Sequence, residues 1–254
     1  MKTHISYSEL KDWKYCPYYH KLTRIDGIAG FKGNEYTAFG TAIHSVCERK
    51  MLKEEFDPYE YFLAEFDSNL SKLDDDVETN QKLIEKMCTQ GSGIIPHIES
   101  AVREKFGNFK VISTEEKLMA PIEGSSFNFK GYIDLVVQTD DGKYHVIDWK
   151  TCSWGWDMRK RSDPMVTYQL TLYKKFFSII HNIDPSLIET HFVLLKRTAK
   201  KNNVEFVDVS SGNIKTNNAT KLLMQAIKNI ENEKAIKNRL SCKSCQFYKT
   251  EHCT

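Results

Sequence analysis

The chain has 254 residues, enough for one sizeable domain or one domain with a helical insert. It is 41% hydrophobic and 28% charged, no apolar run approaches the ~18 residues of a membrane span, and a formal net charge of +2 leaves any nucleic-acid contact to local patches. Met1-Lys-Thr-His-Ile-Ser lacks the apolar core of a signal peptide, so a cytoplasmic, reducing setting is expected, in which seven cysteines do not make a disulfide framework.

Ser6 to Leu22 reads as a short helix begun by Ser6 or Ser8 and broken at Cys16-Pro17. A loop with Gly27, Gly30 and Gly33 follows, then a helix from about Tyr36 to Lys53 with Phe39, Ile43, Val46 and Cys47 on one face. Residues 58–106 read as a helical insert, interrupted by the acidic loop Asp74-Asp-Asp76. Val111–Met119, Phe127–Gln138 and Tyr144–Lys150 form an expected antiparallel meander, its second turn being Asp140-Asp-Gly142. Val166–His181 is the next helix, His191–Lys196 and Val204–Val209 are further strands, and Thr216–Arg239 is a polar helix leading to the cysteine tail at 240–254.

The chemistry concentrates in the meander. Gly131-Tyr-Ile-Asp134 and Val146-Ile-Asp148-Trp-Lys150 place two carboxylates and a lysine on neighbouring apolar strands. Buried charges of this kind are costly unless paired or bound to a metal. They suit a Mg2+ or Mn2+ site in which Asp134, Asp148 and the Trp149 carbonyl are ligands. Lys150, two residues from Asp148 and so on the same side of the strand, would orient water or offset phosphate charge. An Asp–Lys ion pair at a strand end is the plainer alternative. After Lys150 come Trp154 and Trp156 beside Arg159, Lys160 and Arg161, a composition suited to stacking on unpaired bases and gripping phosphates. The same tryptophans would equally pin the loop to the core.

Cys242, Cys245 and Cys253 form C-x2-C-x7-C, a metal-ligand spacing that supplies three soft ligands. Zinc is one candidate for it, with His252 as a spare ligand. Cys47, Cys88 and Cys152 are scattered and read as small buried residues.

The order of these motifs resembles the PD-(D/E)XK nucleases, and more narrowly their RecB-like branch. The GxxD strand, the apolar-Asp-x-Lys strand and a following helix with Gln169-Leu-Thr-Leu-Tyr173 match the branch's motifs. Upstream, Gly40-Thr-Ala-Ile-His44 matches its GxxxH helix. Asp148 stands where many relatives carry Glu. The resemblance spans about Ser6 to Cys253 and implies an α/β (α+β) fold. That fold is a restriction-endonuclease-like core, a mixed sheet flanked by helices, within a single domain carrying the helical insert and a C-terminal cysteine clasp. It implies His44 as a further metal ligand and Gln169 and Tyr173 on a helix face bordering the site, although a core histidine and a packed tyrosine would account for those residues too.

In iron–sulfur members, similar to AddB-type nuclease domains and CRISPR-associated adaptation nucleases, one N-terminal and three C-terminal cysteines hold a 4Fe–4S cluster. Here those would be Cys16, Cys242, Cys245 and Cys253. The implied activity is a metal-dependent deoxyribonuclease, an exonuclease on single-stranded DNA or DNA ends, serving recombination, repair, phage DNA processing or CRISPR adaptation. The alternatives are a structure-selective endonuclease and a non-catalytic DNA-binding or assembly module. The chain has no GxxxxGK[ST] phosphate loop, so a helicase or recombination partner would be a separate protein.

Overall fold

Short polar side chains set most helix starts in the computed structural model, which describes residues 3–28 and 30–254. Strand β1 (His4–Ser6) leads into α1 (Tyr7–Tyr15), where Ser6 Oγ accepts from the Glu9 amide. Cys16 is extended, with φ −165°, so the chain breaks before α2 (Pro17–His20), which continues into a wider, π-type turn at Lys21–Ile25. Asn34 and Thr37 form a capping box on α3 (Glu35–Met51), Asp57 caps α4 (Pro58–Leu70), and Asn80 caps α5 (Gln81–Ile94). A short turn at Ile95–His97 precedes α6 (Ile98–Phe106), which Gly107 ends with φ 65°.

Then come β2 (Phe109–Pro121), β3 (Asn128–Thr139), β4 (Tyr144–Cys152), α7 (Met158–Ser162), α8 (Pro164–His181), β5 (Ile188–Lys196), β6 (Val204–Asp208) and α9 (Asn213–Glu231). A 3-10 turn at Arg239–Ser244 opens the cysteine tail. Three expectations change. His4–Ser6 is a strand rather than the approach to a helix. Met158–Ser162 is a helix inside the expected loop, capped by Asp157. α9 ends at Glu231 because its buried stripe, Ala219, Leu223, Ala226 and Ile227, runs out there.

The six strands form one mixed sheet in the order β1-β3-β4-β5-β6, with β2 on the other edge of β3. β2 runs antiparallel to β3 over its length. The opposite edge of β3 is shared: β1 pairs in parallel with Asn128–Lys130, and β4 pairs antiparallel only from Leu135–Ile147 to Gln138–Tyr144. β4 and β5 are parallel, so the chain must cross over between them, and α7 and α8 make that crossing.

Helices cover both faces, as expected for a mixed sheet flanked by helices. Leu10 and Trp13 of α1, Leu170, Phe176 and Phe177 of α8, and Leu223 of α9 pack with Phe129, Val146 and Phe192 on one face. On the other, Phe39 and Ile43 of α3, Phe62 and Phe66 of α4, Met87 of α5 and Val102 of α6 pack with Leu135, Ile147, Trp149 and Val193. Residues 58–106 are thus largely helical, and their apolar sides help cover this second face. No described helix is long and apolar enough to cross a membrane.

Gly91 of α5 lies buried against Phe62, and a methyl group added there would run into the Phe62 ring. Gly91→Ala should therefore destabilise the protein by about 1–3 kcal/mol, although alanine is the better helix former. Thermal melting checks this: an unchanged or raised Tm would mean that α4 and α5 can separate freely.

Candidate active site

The motif aspartates lie where β3 and β4 part. The last ladder pair is Leu135–Ile147, and the Trp149 amide beyond it donates 2.7 Å to Asp134 Oδ2 instead of to a strand carbonyl. The other edge of β3 is irregular at the same level. Thr114 pairs with Leu135 and Glu116 with Ile133, but the intervening Glu115 takes φ 46°. Ile133 belongs to the first core and Leu135 to the second, so the alternation of side chains breaks at Asp134. Asp134 consequently stands in the seam between the two cores.

From β4, Asp148 and Lys150 project toward α8. Lys150 Nζ lies 2.5 Å from Asp148 Oδ2, a buried ion pair. Asp148 Oδ1 accepts 2.7 Å from Gln169 Nε2, which also reaches Tyr173 Oη at 3.3 Å. Gln169 and Tyr173 are one turn apart on α8 and so share the face toward the site. Gly131 makes room for that tyrosine, since a Cβ there would stand 2.8 Å from Tyr173 Cε1. From α3 on the other side, His44 Nδ1 comes to 3.7 Å from Asp134 Oδ2, too far for a hydrogen bond. The motif residues from four separate elements are brought together.

Electrostatics here are unfavourable in a specific way. Burial, then the Asp148 charge, raises Asp134 well above the usual carboxylate range, and burial also raises Asp148 against the pull of Lys150. Burial opposes the Lys150 charge, but Asp148 and Asp134 outweigh it and its pKa is raised. Burial, then Lys150, lowers His44 to about 4, leaving a neutral imidazole with a lone pair to give. Two buried carboxylates that resist ionisation beside a neutral imidazole suit a divalent cation. Glu48, one turn after His44, was not marked by the sequence reading. It accepts from Thr114 Oγ1 at 3.0 Å and, after burial, is the next cause raising the pKa of Glu115. Its spacing from His44 was the available signal. Glu116 is engaged elsewhere, with His181 at 2.5 Å.

The tryptophan loop divides. Trp156 is 8% exposed, packs its ring 5.1 Å from Phe192, and has Lys160 Nζ 4.8 Å above it. Arg161 donates to the Trp156 carbonyl at 2.7 Å and to Glu205 at 2.5 Å. Trp156 and Arg161 thus help hold the loop on β5 and β6. Trp154 is 68% exposed, and Arg159 and Lys160 are exposed as well.

Far from this seam, Cys16, Cys242, Cys245 and Cys253 line one small pocket with Tyr18, Tyr19, Phe247 and Tyr248. Hydrogen bonds already join the chain ends there. Tyr15 Oη donates to the Ser241 carbonyl at 2.8 Å, Ser241 Oγ to the Tyr15 carbonyl at 2.6 Å, and Tyr18 Oη to the His252 carbonyl at 3.1 Å.

The chain belongs to the PD-(D/E)XK nuclease superfamily, whose profile matches residues 4–250. Among solved structures it is similar to a protein described as "Putative exonuclease" from Eubacterium rectale. The two share 14% identity with a TM-score of 0.62, over 96% of this chain and 86% of that one. At that identity the likeness concerns the fold. It is also similar to SSO0001, at 16% identity over 82% of this chain and 93% of that one, with a TM-score of 0.39, too low to carry an argument. No curated protein matches the chain.

Raised carboxylate pKa values have a definite consequence for stability. Below the usual carboxylate range, folded and unfolded states both hold the protons and nothing is lost. As pH rises through that range the unfolded chain ionises first, so stability falls. In metal-free protein Asp134→Asn should remove part of this penalty and raise Tm by a few degrees, on the order of 1 kcal/mol at neutral pH, while flattening the pH dependence. Melting curves at pH 4 and pH 7 check it: a lower Tm for Asp134→Asn at pH 7 would refute the assignment of strain.

Proposed function

We propose that this nuclease is a divalent-metal-dependent deoxyribonuclease of the RecB-like type, acting as an exonuclease on single-stranded DNA or DNA ends. The observation that carries the reading is the convergence of Asp134, Asp148, Lys150, His44 and Gln169 on one buried seam. Asp134 and Asp148 would hold Mg2+ or Mn2+, joined by His44 and the Trp149 carbonyl. The bound ion supplies Lewis acidity toward the phosphate and lowers the pKa of its water. Gln169 holds Asp148 by Oδ1, Lys150 pairs with its Oδ2, and the Trp149 amide holds Asp134. Lys150 offsets charge on the phosphate or orients the attacking water. Tyr173 backs Gln169, and Trp154, Arg159 and Lys160 offer an exposed ring and two cations for a strand leaving the site. The description attached to the Eubacterium rectale structure agrees with the exonuclease mode.

The cysteine cavity supports a 4Fe–4S cluster held by Cys16, Cys242, Cys245 and Cys253. The cluster would close a loop over nearly the whole chain and fix ends that a few hydrogen bonds now join.

Asp134→Ala, Asp148→Ala and Lys150→Ala should each lower Mg2+- or Mn2+-dependent cleavage by on the order of 100-fold or more without unfolding the protein. Linear single strands should be degraded while closed circles of the same sequence survive. Wild-type rates in Asp148→Ala would sink the site, and cutting of circles would replace the exonuclease by an endonuclease.

Protein purified without oxygen should be brown, with about four irons per chain, and Cys16→Ser should lose them as fully as Cys245→Ser. A colourless protein with one zinc would reverse the choice of metal.

A further inference from the structure

β-strand periodicity assembles a second group of metal-ligating side chains on the opposite face of β4. His145 shares that face with Ile147 and Trp149, away from Asp148 and Lys150, and Glu189 and His191 lie two apart on β5. Register sets His145 beside Glu189, and His191 beside Asp208 of β6. His145 Nδ1 is 3.1 Å from His191 Nε2 and 3.6 Å from Glu189 Oε2. Two imidazole nitrogens on one tetrahedral zinc, with bonds of 2.0–2.1 Å, stand about 3.4 Å apart. The observed separation of the two imidazole nitrogens is close to that value.

The remote atoms are already held. His191 Nδ1 lies 2.8 Å from Asp208 Oδ1, His145 Nε2 lies 3.1 Å from Thr139 Oγ1, and Glu189 Oε1 accepts from Lys143 Nζ at 2.7 Å. This is the outer support that orients metal-bound imidazoles and carboxylates. Counting protons sharpens the point. Thr139 has one hydroxyl proton, and its shortest contact is Asp141 Oδ1 at 2.5 Å. His191 donates from Nδ1 to Asp208, so its inner Nε2 presents a lone pair toward His145 Nδ1. Burial first, then the neighbouring His191, lowers His145 to about 4, and burial lowers His191 too, which works against adding a proton there. The Phe106 ring packs 4.3 Å from His145, and the group borders a surface cavity lined by Lys105, Asn108 and Asp140.

We propose that His145, His191 and Glu189 form a second metal site that takes a first-row transition ion of the zinc type and ties β4 to β5 at the hairpin end of the sheet. Two imidazoles with one carboxylate favour such an ion over Mg2+, which prefers an oxygen shell. The site is independent of the nuclease reading, since none of its residues takes part in the seam.

The test is zinc titration of the full-length protein in excess Mg2+, with bound zinc counted and Tm recorded. One zinc equivalent should bind to wild type, Asp148→Asn and Cys245→Ser alike and raise their Tm. In Glu189→Gln its affinity should fall at least tenfold, and in His145→Gln the equivalent should be lost. Glu189 is half-buried and its amide replacement can still accept from Lys143, so that variant separates ligand loss from misfolding even if His145→Gln melts early. Unchanged zinc affinity in Glu189→Gln would overturn the proposal. So would wild-type zinc that disappears entirely in Asp148→Asn or Cys245→Ser.

Discussion

The Trp149 amide, bonded to the Asp134 carboxylate, is the contact on which the seam depends. Two neighbouring strands can part inside a protein only if the backbone groups they release find other partners. Beyond Leu135–Ile147 a side chain supplies that partner, so β3 and β4 diverge without leaving this amide unpaired. The divergence leaves the far end of β3 free for β1, which brings the N-terminal helices onto the first core. It also creates the gap that α8 reaches from one side and α3 from the other. Gly131 lets the Tyr173 ring approach β3 closely, and so sets how near Gln169 comes to Asp148.

The site is thermodynamically awkward because its groups are desolvated before anything neutralises them. Each unit by which burial raises a carboxylate corresponds to about 1.4 kcal/mol disfavouring its charged form. Lys150 offsets part of this for Asp148, but one ammonium cannot satisfy two carboxylates, and the neutral His44 adds no charge. What tolerates the strain is the apolar packing on either side. Phe129, Phe176 and Phe192 are almost wholly buried in one core, and Phe39, Phe62 and Trp149 in the other. A preformed arrangement of this kind is poorly stable alone and well matched to a divalent cation, the usual relation between a functional site and the fold that carries it.

What the sequence revealed was local, and what it hid was long-range. The first helix start followed from Ser6, whose side chain caps within three residues, and the turn at Asp140-Asp-Gly142 placed β3 against β4. The motif residues were readable because their spacings, two along a strand and four along a helix, fix relative direction. β1 was invisible: three residues carry no periodicity, and its partner Asn128–Lys130 lies far along the chain. Trp154 and Trp156 looked alike, yet Phe192 of β5 buries one and nothing covers the other. The break of alternation at Asp134 could not be read either, since it depends on the Glu115 backbone in a neighbouring strand.

β4 ties these observations together, because its two faces carry different chemistry. Asp148 and Lys150 look toward α8, while His145, Ile147 and Trp149 look toward α3 and α6. Trp149 belongs to both: its ring fills the second core and its amide holds Asp134 in the seam. A shift of β4 against β5 would therefore move the Asp134 anchor and the His145–Glu189 pairing together, since one rigid strand carries both. Anything that pins β4 to β5 at the hairpin end also limits how far the Asp134–Trp149 contact can drift. Such mechanical coupling needs no path of side chains, only the stiffness of a hydrogen-bonded ladder running from Tyr144 to Cys152.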